Sequence, residues 1–150
     1  AGANVALACD IVIANEKASF IQAFSKIGLI PDSAGTFFLP RLIGFQKATA
    51  LMMTGDKVDA IEAERIGMIY KYFSVATFEE EVNKLAFKMA KMPTKGLGLT
   101  KRVLNESLTN TLQEQLSLES KYQIEAAQTK DYSEGVNAFV EKRKPNFIGK

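Results

Sequence analysis

The chain has 150 residues, 47% of them hydrophobic and 24% charged, a composition that fits a domain with a buried core and excludes a disordered tail. Its 19 basic and 17 acidic residues leave a net charge of +2, too balanced for the dense positive surface of a nucleic-acid binder. One cysteine and no histidine exclude an internal disulfide, a tetrahedral metal set, and Ser-His-Asp or Cys-His catalysis within the chain.

Acid-base chemistry therefore falls to carboxylates, Lys, Tyr or Cys. The lone Cys9 fits a reducing, cytoplasmic compartment. No uncharged stretch approaches the roughly 18 residues of a membrane span, so no membrane partner is expected. Ala1-Gly2-Ala3-Asn4 leads without an initiator methionine into the apolar Val5 to Cys9, which reads as the middle of a larger protein.

Ala3 to Ala8 is rich in Ala and Leu and predicts a helix. Asp10 to Ala14, β-branched and almost wholly apolar, predicts a strand buried on both faces, and a second short strand is expected at Ala18 to Gln22. Helices follow over Thr36 to Ile43, Gln46 to Met53 and Asp59 to Ile66, each stopped by a glycine or a Thr-Gly pair. Met68 to Phe73 is a strand candidate. Thr77 and Glu80 resemble a capping box for a helix whose apolar stripe is Phe78, Val82, Leu85 and Met89, broken at Pro93. Leu99 to Ser107 and Leu112 to Ala127 complete the helical region. The pairs Met52 and Met53, and Met89 and Met92, read as gap-filling core residues. Strands first and helices afterwards indicate part of an α/β layered fold.

Three places can carry chemistry. The small residues Ala1-Gly2-Ala3 opening a helix offer backbone N–H groups to an oxyanion, although small residues also open helices for packing reasons. Asp32, in Gly28-Leu-Ile-Pro-Asp-Ser-Ala-Gly-Thr36, reads either as a helix N-cap or as a proton shuttle whose pKa is raised by Phe20, Phe24, Ile27 and Leu29. Lys142-Arg143-Lys144 reads as a solvated helix face, unless a phosphate-bearing ligand is bound.

The run Ala-Gly-Ala-Asn-Val-Ala-Leu-Ala-Cys-Asp10 resembles the signature of the crotonase, or enoyl-CoA hydratase/isomerase, superfamily. Ile27 to Thr36, Leu39 to Gly44, Met53 to Asp56, Ala60 to Gly67 and Phe139 to Phe147 follow in register. The resemblance spans the chain and implies the C-terminal half of a crotonase (ClpP/crotonase-like ββα spiral) fold. Residues 1–75 would belong to the spiral core and 76–150 to a helical region for oligomerisation and CoA capping.

It further implies an oxyanion-hole amide at Ala1, with Gly2 beside it. The two hydratase glutamates are matched by Asn4 and Phe24, neither of which can act as acid or base. Asp32 falls where certain isomerases of the family, and the related aryl-CoA dehalogenases, place an active aspartate. Phe24 to Asp32 looks most like the ring-epoxide phenylacetyl-CoA isomerases and their enoyl-CoA isomerase relatives. The expected activity is thus Asp-mediated proton transfer on a thioester, with a hydratase, a hydrolase or dehalogenase, or a catalytically incomplete assembly fragment as the other readings. Asn4, Gln22, Ala23, Phe24, Ile27 and Gly28 would line the acyl site, and Phe139 and Lys142 would contact CoA. The only cofactor expected is the coenzyme A of the acyl-CoA substrate, and the expected assembly is a homotrimer or dimer of trimers.

Overall fold

The computed structural model describes residues 1–150, which divide into two compact units, Ala1–Asn83 and Lys84–Lys150. The first contains α1 (Gly2–Leu7), β1 (Ile13–Asn15), β2 (Ser19–Ile21), a 3-10 helix at Ala23–Ile27, α2 (Gly35–Ile43), α3 (Phe45–Thr54), β3 (Lys57–Asp59), α4 (Ala60–Arg65) and β4 (Lys71–Phe73). Helix α5 (Phe78–Ala90) runs across the boundary, and α6 (Thr94–Glu106), α7 (Leu112–Ala127) and α8 (Lys130–Val140) form the second unit. No helix is long and apolar enough to cross a membrane.

The strands form two pairs. β1 and β4 run parallel, with Ile13 opposite Lys71 and Asn15 opposite Phe73. β2 and β3 run antiparallel, with Ser19 opposite Asp59 and Ile21 opposite Lys57. The strand expected from Asp10 is shorter and less buried than its composition predicts, since β1 starts at Ile13 and Ile11 stays 43% exposed. Within this chain β1 pairs with β4, with Ala14 buried and Ile13 half-buried. The strand expected from Met68 also starts late. Gly67 takes φ +78°, and the Met68 amide donates to Ala63 O at 2.8 Å, so Met68 and Ile69 enter the core from a turn. β3 carries no apolar run of its own and was not legible in the pattern.

Leu7, Ala14, Phe20, Leu39, Ala48, Val58, Ala60, Ala63, Met68 and Ile69 form the core of the first unit. Met52 packs against it, whereas Met53 is exposed, as are Met89 and Met92, which corrects their reading as core residues. The α5 stripe is likewise only partly covered: Phe78, Val82 and Leu85 are half-buried. Thr77 does not build the expected capping box, because its hydroxyl lies 2.9 Å from that of Ser74. A capping box is found instead at α7, where Thr111 and Glu114 satisfy each other's backbone amides.

In the second unit α6 packs on α7, and the tail folds back on α8. Buried Asp131 anchors it, its carboxylate accepting the amides of Ile148 at 2.7 Å and Gly149 at 2.8 Å. Arg143 is not a free cation of the terminal cluster. It donates to Glu134 at 2.6 and 2.9 Å and to Glu141 at 2.6 Å.

That guanidinium, together with the Asn146 amide, holds the Glu134 carboxyl down at about 2. A carboxyl lowered on folding stabilises above its unfolded pKa of about 4.3, and the contribution fades as pH falls through the folded value. Carboxyl NMR titration is expected to place Glu134 near 2 in wild type and to return it to the ordinary glutamate range in Arg143→Ala. An ordinary midpoint in wild type would show that this tail contact does not hold in solution. Because the pair is open to solvent, added salt weakens it.

Candidate active site

The site grows from two short pieces of backbone, the start of α1 and the loop ahead of α2. Ala1 is the N-cap residue of α1 and accepts the Val5 amide at 3.0 Å, so the chain turns helical at once. The loop Pro31–Ala34 is less ordinary, because Ser33 at φ 49° and Ala34 at φ 59° are both left-handed without being glycine. Such a conformation costs roughly 1–2 kcal/mol per residue and persists where neighbours over-determine it.

Those neighbours are visible. Asp32 O accepts the Gly35 amide at 2.9 Å and the Asn4 side-chain amide at 2.9 Å, and Asp32 Oδ1 accepts the Ser33 hydroxyl at 3.0 Å. The loop therefore brings the Asp32 carboxylate to 4.0 Å from the terminal ammonium of Ala1. The helix-cap reading of Asp32 is overturned, since α2 starts behind Ala34 with no side-chain cap. The apolar enclosure expected around Asp32 is also absent within this chain. Its side chain is 61% exposed, Phe20 is buried in the core, and Ile27 and Leu29 point their apolar surface outward.

The other expected site residues lie apart from one another along the chain. Asn4 and Gln22 are buried polar residues, joined by a 2.7 Å bond from Gln22 Nε2 to Asn4 Oδ1. Ala23, Phe24 and Ile27 lie on the 3-10 helix, Phe24 half-buried and Ala23 and Ile27 exposed. Gly28 closes that helix at φ 72°, a conformation that favours glycine. Gly2 is exposed, with open space around it. Phe139 and Lys142 belong to the second unit. Phe139 is 85% exposed at the end of α8, and Lys142 follows in a left-handed turn at φ 56°. Phe139 also lines a cleft of about 420 Å³ with Tyr132, Val136 and Phe147.

Ser33 and Gly35 were missed by the sequence reading. A Cβ on Gly35 would lie 2.3 Å from Asn4 Nδ2, so the small residues of Ser-Ala-Gly reflect a close approach of the loop to α1. The signal was the run of small residues after Asp32, read there only as part of a motif.

The profile of the enoyl-CoA hydratase/isomerase family matches residues 1–150. The chain belongs to this family. Its relatives include the 1,2-epoxyphenylacetyl-CoA isomerase of Escherichia coli, 47% identical over 100% of this chain and 57% of the relative. The trans-2-decenoyl-[acyl-carrier-protein] isomerase of Streptococcus mutans is 38% identical over 100% and 57%. The mitochondrial enoyl-CoA hydratase of Pongo abelii is 38% identical over 97% and 50%. The crystal structure of enoyl-CoA hydratase subunit I from Geobacillus kaustophilus superposes with a TM-score of 0.95 at 34% identity, over 99% of this chain and 58% of that one. The family member described here thus has the crotonase fold, and it spans little more than half the length of the relatives it matches.

Proposed function

We propose that the protein carrying this chain is an acyl-CoA isomerase in which Asp32 moves a proton along the acyl group of a thioester. The observation that carries this reading is the tie of the Asp32 loop to the start of α1, through the Asn4 amide at 2.9 Å, with the exposed Asp32 carboxylate beside Ala1, while by the family resemblance Asn4 and Phe24 match the hydratase glutamates. An oxyanion received at the Ala1 peptide N–H, with Gly2 beside it, would acidify the carbon next to the carbonyl. The carboxylate would take the proton there and return it to another carbon. Relatives named as isomerases, at 47% and 38% identity, stand beside relatives named as hydratases, at 42% and 38%, so the choice rests on Asp32, Asn4 and Phe24 and hydration is the second reading.

The chain would be the C-terminal part of such an enzyme, with its second oxyanion donor in the remainder. Residues 1–75 would contribute to the spiral core and 76–150 to assembly and CoA capping. The exposed Tyr132, Val136, Phe139 and Val140 on α8 offer apolar surface for a homotrimer or dimer of trimers. Neither a metal nor a cofactor beyond the substrate's own coenzyme A is required.

The test is product analysis on the full-length protein with 2-enoyl-CoA and 3-enoyl-CoA. Double-bond migration without 3-hydroxyacyl-CoA is expected. Accumulation of 3-hydroxyacyl-CoA as the main product would replace isomerase by hydratase, and a covalent ester trapped on Asp32 would make it a nucleophile instead.

Lys142, exposed while Arg143 is held by two glutamates, would be the cation of this cluster that meets CoA phosphates. Lys142→Ala is expected to weaken acyl-CoA binding by about tenfold at low salt, with a smaller effect at high salt. Unchanged affinity at low salt, measured by calorimetry, would remove Lys142 from the site.

A further inference from the structure

Asn4 is one of the two largest fully buried side chains, 1% exposed, and it is polar. Its orientation follows from its partners. The Asp32 carbonyl can only accept, so the Asn4 end that meets it at 2.9 Å is the amide NH₂. Asn4 Oδ1 is then left as an acceptor, and Gln22 Nε2 supplies the donor at 2.7 Å. The chain of bonds stops there, since Gln22 Oε1 is buried with no partner. A buried oxygen without a donor is rare in native proteins and calls for a reason. The Gln22 amide is held in this orientation all the same, because turning it over would set its oxygen against Asn4 Oδ1 and leave two acceptors facing each other.

What Asn4 fixes is the loop that carries Asp32. Asn4 sits on α1, whose N-cap residue is Ala1, and its NH₂ ties that helix to the Asp32 backbone just before the left-handed Ser33 and Ala34. Gly35 closes over the same amide, with no room for a Cβ. We infer that Asn4 is a positioning residue that sets the Asp32 carboxylate relative to the Ala1 nitrogen, oriented in turn by Gln22. The inference rests on the reading of Asp32 as the proton carrier. Asn4 itself, closed off from solvent, acts through the loop and not on substrate.

The experiment compares wild type, Asn4→Ala, Gly35→Ala, the Asn4→Ala/Gly35→Ala double variant and Asp32→Asn in the full-length protein. Acyl-proton exchange in deuterated water, kcat and KM are read beside the melting temperature. Asn4→Ala is expected to lower kcat about ten- to a hundredfold with KM within about twofold, the pattern of a misplaced reacting group. Gly35→Ala is expected to lower both stability and kcat, because its methyl collides with the Asn4 amide. In the double variant the methyl fills the vacated space, so the melting temperature recovers while kcat stays low. Recovery of kcat with the melting temperature would reduce Asn4 to packing and overturn the inference, as would wild-type kcat in Asn4→Ala. Wild-type exchange in Asp32→Asn would instead overturn the proton-carrier reading, and this inference with it.

Discussion

If Asp32 carries the proton as proposed, Asp32→Asn in the full-length protein is expected to slow exchange of substrate acyl protons with deuterated water by at least about a hundredfold, the lower scale for loss of a general base. Melting temperature and acyl-CoA affinity should stay close to wild type. The separation follows from the bonds of the residue. Its backbone carbonyl, which holds Asn4 and Gly35, is untouched by the substitution. Its side chain accepts only the Ser33 hydroxyl at 3.0 Å, a bond that an amide oxygen can keep. The carboxylate is 61% exposed, so little burial energy changes. What the amide cannot do is accept a proton. Wild-type exchange rates in this variant would sink the assignment.

The reading of Asp32 as a helix cap fails on one geometric fact. A cap would need the carboxylate on the first amides of α2, but that helix starts behind a left-handed Ala34 and the side chain faces Ala1 instead. No periodicity or propensity encodes this, because two consecutive left-handed residues outside glycine are a tertiary outcome. Asn4 illustrates the same limit. The family resemblance matches it to a hydratase glutamate, and nothing local foretells that its amide meets Asp32, 28 residues away. The role of Gln22 is equally nonlocal, through a bond over 18 residues.

Where the pattern is local, it carries further. α7 was expected over Leu112 to Ala127 and has those bounds, and α2 and α3 differ from expectation by a residue at the ends. The strands fared less well because their lengths depend on partners. β1 and β4 each pair over three residues, and apolar residues next to them, such as Met68 and Ile69, reach the core through a turn. α8 was not foreseen, since its apolar residues Val136, Phe139 and Val140 are largely exposed and the helix is held by its Thr129 cap and the Asp131 tail contact.

The largest stability effect is expected at Leu39. Its side chain is 0% exposed, on α2, in the cluster with Leu7, Phe20 and Ala48. Leu39→Ala removes buried carbons and leaves a cavity that a close-packed interior refills only partly, at a cost of about 2–5 kcal/mol. For a protein of this family's size that corresponds to a melting temperature lower by roughly 4–20 °C. The site should respond differently from the Asp32 variant. α2 begins at Gly35, directly behind the Asp32 loop, so a loosened helix loosens the loop, yet the carboxylate and its Asn4 tie remain in place. Well below its melting temperature the variant should therefore retain most of the exchange activity that Asp32→Asn loses. Thermal unfolding followed by circular dichroism, with exchange assayed at low temperature, checks both parts. A melting temperature within about 2 °C of wild type would show that the space around Leu39 collapses at little cost, and that the core is not what holds α2.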